Sequence, residues 1–416
     1  MYLGRVAVQS YEFGPPASAP VRTDQANTTP RDISSNFDLL LQCCAAAIGS
    51  SGGFLPDASV DVDWELFANL AERHDVTPLV YRCFHGLPNA APHAALEAFR
   101  RGYERNTRKN LRLTFELTRI LDCLAACGVD ALPYKGPVLA EALYGDVGLR
   151  QFSDLDVLIR PQNLGRASEA VQKLGYTPTN PLTPRQEQAY VATGYEWAFD
   201  GPSGKNLLEM QWRIVPKFYS IDLDVKGLFE RSTDVTLGDW QGRTLSPEDL
   251  LLVLCVHAAK HAWVRLSWLC DIARTLQTQT MDFDLVQRRA SELGVARIVG
   301  ISLWLANRLL RMPVPALLSA PMDKDEMVVR LGKEVLRLMI QLSEFDVESP
   351  DYFRLMLRAR ECCRDKISFL ARLAITPSTG EWSAIRLPGP LFSLYRIVRI
   401  ARLSSRVFSA AFAQNS

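Results

Sequence analysis

No apolar run in this chain approaches the roughly 18–20 residues that cross a bilayer, and the cysteines taken together lack the spacing of a zinc site. Nine cysteines are present among 416 residues. Cys43-Cys44 and Cys362-Cys363 are adjacent pairs, while Cys123 and Cys127 stand one helical turn apart. With no signal peptide, they read as reduced, buried thiols of a cytoplasmic protein rather than as a disulfide framework. Excess charge of one sign is missing as well. Lys and Arg number 47 against 46 Asp and Glu, a formal net charge of +1, so nothing global argues for nucleic acid as a partner. Apolar residues make up 48% and charged residues 22%, ordinary for a globular protein whose length suits two or three domains.

What is present falls into four regions. Residues 1–36 carry Pro15-Pro16, Pro20 and Pro30 among many Ser, Thr, Asn and Gln and read as a disordered tail. Residues 37–129 repeat apolar positions at helical spacing, as in Leu66, Leu70 and His74, and form an N-terminal helical region. Residues 130–245 mix strand and helix patterns. The spacing predicts strands at 131–134 and 154–159, helices at 138–143 and 164–174, and a hairpin of strands 194–199 and 206–215 about the turn-rich 200–205. Residues 246–416 are helical again, opened by Ser246-Pro247-Glu248-Asp249, a capping Ser followed by Pro and acids in the first turn.

The chemistry concentrates in the mixed segment. On a strand, residues i and i+2 share a face about 6.5–7 Å apart, so Asp154 and Asp156 point one way while Leu155 and Val157 point into the protein. An isolated Asp-x-Asp arises by chance in many proteins. Here, however, two carboxylates open a buried strand, which is costly without a compensating cation. Mg²⁺ prefers such oxygens, together with substrate phosphates. Alternation on the second hairpin strand puts Leu208, Met210 and Trp212 on one side and Glu209, Gln211 and Arg213 on the other. That polar side reads as solvent-exposed when taken alone. Beside the aspartates, Glu209 can instead supply the third carboxylate that a two-metal clamp requires. Gly136 allows close backbone approach to a ligand. Pro137 suits a first helical turn, whose free N–H groups can receive a phosphate.

The run Tyr134-Lys135-Gly136, Tyr144-Gly145, Arg150 and Asp154-Leu155-Asp156-Val157-Leu158, followed by Leu208-Glu209-Met210-Gln211-Trp212-Arg213, resembles the uncharacterised bacterial nucleotidyltransferases of the polymerase-β-type superfamily. The similarity continues through Ser246–Leu251, His257–His261 and Trp268–Asp271, and spans roughly residues 37–400. The resemblance implies an α+β fold, a polymerase-β-like core with a mixed sheet flanked by helical regions. It also implies three carboxylates (Asp154, Asp156, Glu209) holding two Mg²⁺ ions, with Mn²⁺ as an alternative, and a nucleoside triphosphate donor. Lys135, Gly136, Arg150 and Ser153 form the expected nucleotide-binding set, and Glu209 is expected to help deprotonate the acceptor. Three departures stand out. Lys135-Gly136-Pro137 replaces a Gly-Ser pair, the gap to Asp154 is long, and Gln211 stands where relatives usually carry His.

Other features leave more than one reading. Arg100, Arg101, Arg105, Arg108, Lys109 and Arg112 lie on one predicted helix, as a solvated face before a phosphate-binding stripe. His257 and His261 share a helix face, but Ala258 breaks the His-Glu-x-x-His zinc signature. They pack, or with Gln211 and Arg213 line an acceptor or nucleotide pocket. Asp271 is expected to fix helix packing or pair with Arg265 or Arg274. No Asp or Glu follows Glu381, and residues 391–408 sort apolar and basic positions to opposite helix sides. Such a helix docks on its own protein more often than it lies on a membrane surface. The acceptor is expected to be a small molecule or peptide. Alternatives are an inactive nucleotide-binding partner, or a membrane-surface accessory protein of a polysaccharide or peptide biosynthetic cluster. Oligomeric state is not legible.

Overall fold

The structure, a computed structural model, describes residues 30–49, 62–85, 90–202, 207–341, 349–376 and 394–413, with residues 87, 204, 385 and 391 between them. Four helices come first: α1 (Pro30–Ala47), α2 (Trp64–Arg73), α3 (Thr77–His85) and α4 (His93–Ala126). α1 begins inside the stretch expected to be a tail, because Ile33, Phe37, Leu40 and Cys44 make an apolar stripe that packs into the core. Residues 1–29 lie outside the described residues. The Asp63 carboxylate starts α2 by accepting from the amides of Glu65 and Leu66 at 3.1 and 3.0 Å.

The alternating segment follows: β1 (Ala131–Pro133), α5 (Gly136–Tyr144), β2 (Asp154–Ile159), α6 (Leu164–Lys173), β3 (Thr177–Pro178), α7 (Pro184–Thr193), β4 (Glu196–Asp200) and β5 (Leu207–Gln211). The five strands form one mixed sheet ordered β1-β2-β5-β4-β3. β2 and β5 run parallel, and the other neighbours are antiparallel. The expected hairpin is therefore present as β4 and β5, although part of its turn (203, 205 and 206) lies outside the described residues. β5 ends at Gln211 rather than near residue 215. There the amides of both Trp212 and Arg213 turn to the carbonyl of Tyr195, at 2.9 and 3.3 Å, which closes the ladder.

After α8 (Val225–Glu230) and the hairpin β6 (Thr233–Leu237) and β7 (Trp240–Thr244), the chain is helical: α9 (Pro247–Lys260), α10 (Leu266–Thr278), α11 (Phe283–Glu292), α12 (Ala296–Leu310), α13 (Ala316–Lys324), α14 (Glu326–Ile340), α15 (Pro350–Arg358), α16 (Cys363–Ile375) and α17 (Tyr395–Ala413). Among the described residues no helix is long and apolar enough to cross a membrane.

Two cores divide the sheet's faces. Leu155, Val157 and Ile159 join Leu113, Leu117, Ile120 and Val171 of α4 and α6. Leu132, Tyr134 and Leu158 join the larger core built from α1–α3 and the C-terminal helices. Strand alternation thus turns Asp154 and Asp156 toward the seam between the sheet and α9–α10. The N- and C-terminal helices share that larger core directly, since the amide of Ser267 donates to the carbonyl of His74 at 3.2 Å. The expectation of buried thiols holds for Cys43, Cys44, Cys83, Cys255 and Cys270. Cys123 and Cys127 are half-buried, Cys362 and Cys363 are exposed, and all nine are unpaired.

Candidate active site

Four carboxylates converge on the seam-facing side of the sheet. In the parallel pairing of β2 with β5, Asp156 lies directly opposite Glu209. In the antiparallel pairing of β4 with β5, Glu196 lies opposite Gln211. Gln211 ties the group together. Its Nε2 donates to Asp156 Oδ1 at 2.9 Å and Glu209 Oε2 at 3.1 Å, and reaches Glu196 Oε2 at 3.4 Å. Its Oε1 accepts from the Tyr134 hydroxyl. Lys135 Nζ lies 3.2 Å from Asp156 Oδ1.

Charge in this group is out of balance. Burial first, and then Asp156, pushes Asp154 up to about 6, against the opposing pull of Lys135 and Arg150. Burial, then Glu196, Asp156 and Asp154, raises Glu209 well above the carboxylate range. For Lys135, burial alone would lower the pKa, but Asp156, Tyr134, Glu209 and Asp154 outweigh it and keep the ammonium charged. More negative charge is gathered here than Lys135 neutralises.

Local sequence explains how these groups are held. Gly136 sits at φ +55°, and a Cβ there would meet the Asp154 carbonyl oxygen at 3.4 Å. The glycine therefore lets α5 start hard against β2, so its close approach is to the chain's own backbone. Lys135 is the residue before that helix. The connection carrying Arg150 is clamped from α4, a contact that helical spacing alone does not reveal. Asn106 Nδ2 donates to the carbonyls of Gly148 and Arg150 at 2.8 and 3.0 Å. Asn110 Nδ2 donates to Val147 and Arg150 at 2.6 and 2.8 Å.

Arg150 is not free to meet phosphate with its whole guanidinium. Its Nε donates to Asp271 Oδ2 at 2.9 Å, and the Tyr144 hydroxyl donates to Asp271 Oδ1 at 2.9 Å. Asp271 thus pairs with Arg150 rather than with Arg265, which pairs with Asp75, or Arg274, which donates to the Leu143 carbonyl. Among the described residues, Arg150 Nη1 is buried without a hydrogen-bond partner.

The other expected residues divide. Ser153 sits half-buried just before β2. Arg213 points elsewhere, its Nη1 donating to the carbonyls of Val191 and Gly194 at 3.2 and 2.8 Å, so it holds the α7–β4 connection rather than joining the carboxylates. His257 and His261 stack near one another with ring centroids 4.9 Å apart and both contact Trp268, at 5.5 and 5.2 Å. Burial lowers both well below the usual range. Lys135 adds to that shift in each, which puts the pair near the site, and keeps both rings neutral. Beside them, Lys260 Nζ donates to the Tyr195 hydroxyl at 2.9 Å. The basic stretch on α4 is largely a solvated face, with Arg100 bridging Glu97 and Glu104, and Arg108 bridging Glu104.

Glu196 escaped the sequence reading. The signal was its position on the first hairpin strand, which only the register with Gln211 converts into proximity.

The donor set suits a hard divalent cation: oxygens only, with surplus negative charge. Among the described residues no three His, Cys, Asp or Glu are gathered into a ready-made metal cage. Mg²⁺ rarely uses one, keeping waters and taking one or two carboxylates plus substrate phosphates. The residues fit that kind of site.

In comparisons with known proteins, a family model described as "Uncharacterised nucleotidyltransferase" matches residues 60–311. No curated protein and no solved structure matches the chain.

Proposed function

This chain belongs to the uncharacterised nucleotidyltransferase family and is a transferase of phosphorus-containing groups; from that premise we propose that it moves a nucleoside monophosphate from a nucleoside triphosphate to a small-molecule or peptide acceptor, with Mg²⁺ or Mn²⁺. The observation that carries this reading is the opposed pair Asp156 and Glu209 on adjacent parallel strands, with Asp154 two residues away on the same face. Asp154, Asp156 and Glu209 would hold the divalent ions, which when bound stabilise the attacking and leaving oxygens of an in-line displacement.

The chain's own groups do the remaining work. Lys135, already charged against Asp156, is placed to shift onto phosphate oxygens as substrate enters. The unpartnered Nη1 of Arg150 offers a fixed N–H donor to the same phosphates, while Asp271 holds its guanidinium plane still. Glu209, opposite Asp156 across the strands, would help take a proton from the acceptor hydroxyl once the ions offset the negative charge around it. Positioning and electrostatics supply most of the rate in such transfers.

Asp154→Asn tests the assignment. Pyrophosphate release by the full chain with Mg²⁺ and each triphosphate is expected to fall by about 100-fold or more, with the far-ultraviolet circular dichroism unchanged. Wild-type turnover in that variant would refute it. One observation favours a second reading, nucleotide binding without turnover: Asp156 Oδ1 is already engaged by both Lys135 and Gln211. Calorimetric binding of triphosphate with no pyrophosphate released under any Mg²⁺ condition would select that reading.

A further inference from the structure

Large apolar side chains left in solvent are not scattered over this molecule. Of the eleven exposed among the described residues, eight lie between Ile367 and Ile400. They belong to α16, α17 and the connection between them. α16 buries Phe369 and Leu373 and turns Ile367, Leu370 and Ala371 outward, with Arg364 beside them. α17 buries Tyr395 and Arg399, and the Arg399 Nε donates to the Leu373 carbonyl at 2.7 Å, which joins the two helices. That contact breaks the expected sorting of apolar and basic positions to opposite sides. An arginine faces the protein, while Ile397, at 63% exposure, and Ile400, at 48%, face away.

Charge selects the occupant. Arg364 on α16 and Arg396 on α17 are exposed beside these isoleucines, and no Asp or Glu follows Glu381 in the sequence, so this face attracts anions. A second copy of the chain in a twofold contact would set this basic segment against itself. We infer that the outward faces of α16 and α17 dock on an anionic phospholipid surface. Exposed isoleucines inserting at the headgroup boundary and arginines held near lipid phosphates supply the two signals that stable peripheral attachment needs. Transfer chemistry would then take place next to a membrane, within reach of an acceptor held there.

Flotation of the full chain with large unilamellar vesicles tests this. Vesicles of phosphatidylcholine with one part in three phosphatidylglycerol are expected to carry the protein, and pure phosphatidylcholine vesicles are not. Ile397→Glu with Ile400→Glu, both at exposed positions, is expected to cut vesicle-bound protein at least tenfold. Circular dichroism and solution pyrophosphate release should stay as in wild type. Arg396→Gln is expected to weaken partitioning about fivefold. The inference is overturned if wild type fails to float with anionic vesicles, or if the double variant floats as wild type does. It is equally overturned if wild type is a dimer that the double substitution dissociates without any vesicle binding, which would assign the face to a second copy.

Discussion

Gln211 connects more of the site than any carboxylate does. One amide accepts from Tyr134 and donates among Asp156, Glu209 and Glu196, and an amide nitrogen has only two protons to offer. The glutamine therefore holds the carboxylates near one another without adding charge. Gln211→Met keeps the volume and removes both functions. We expect kcat for pyrophosphate release to fall about tenfold with a smaller change in KM for the triphosphate, because bound phosphates meet Lys135 and Arg150 as before. Leaving the buried Tyr134 hydroxyl unpaired should also cost about 1–3 kcal/mol in urea unfolding. Unchanged kcat with lowered stability would make the residue purely structural. Gln211→Glu puts another charge into a group that already raises Glu209, so its urea midpoint should drop and recover with added Mg²⁺. Part of this group was legible by type and alternation: Asp154, Asp156 and Glu209 follow from period-2 spacing, whereas Glu196 does not. Their interplay was not legible, since which residue of β5 meets which of β2 and β4 is set by pairing register and lies outside any local window.

Elements were legible where local pattern and tertiary packing agree. β2 and α6 carry strong periodicity and fall where the spacing puts them, whereas α1 extends into a proline-bearing stretch because its apolar stripe finds a core to bury against. The α5 start shows a local rule with a tertiary cause. Its glycine looks like a ligand-approach residue in sequence, but its φ of +55° and the nearby Asp154 carbonyl show that it sets the helix against β2. Gly136→Ala therefore meets a left-handed backbone conformation with little room to relax. A loss of about 1–2 kcal/mol is expected in urea unfolding, together with weakened triphosphate binding by calorimetry as Lys135 moves. A variant as stable as wild type would show that α5 can re-seat. Arg150 and Asp271 are separated by 121 positions, and no spacing argument reaches that far. Both are nearly buried, so Asp271→Asn should cost about 3–5 kcal/mol by leaving the guanidinium uncompensated, and it should slow turnover as Arg150 loses its anchor.

At the scale of the whole molecule, the helices before the sheet and those after it form one core, and His74 is one of the pieces holding them together. Its ring is fully buried beside Phe37 at 5.3 Å. Its Nδ1 accepts from the Leu266 amide at 3.3 Å, and its carbonyl accepts from Ser267. Burial chiefly, helped by Arg73 and Arg265, lowers its pKa to about 3. The folded ring thus stays neutral where the unfolded one takes a proton near its ordinary value of about 6.5. Between those values the unfolded chain binds more protons, so stability rises with pH and is lost as pH falls from about 6.5 toward 3. The loss from this ring between pH 6.5 and 5 is about 2 kcal/mol. Asp154 works in the opposite direction over part of that range, because its raised pKa makes the folded chain the better proton binder. Comparing two chains isolates the histidine. His74→Asn retains an acceptor for the Leu266 amide and cannot titrate, so its unfolding free energy should vary less between pH 7 and pH 5 than that of wild type, by about 2 kcal/mol. Parallel pH profiles for the two proteins would show that His74 is protonated in the folded state and that the shared core tolerates the charge.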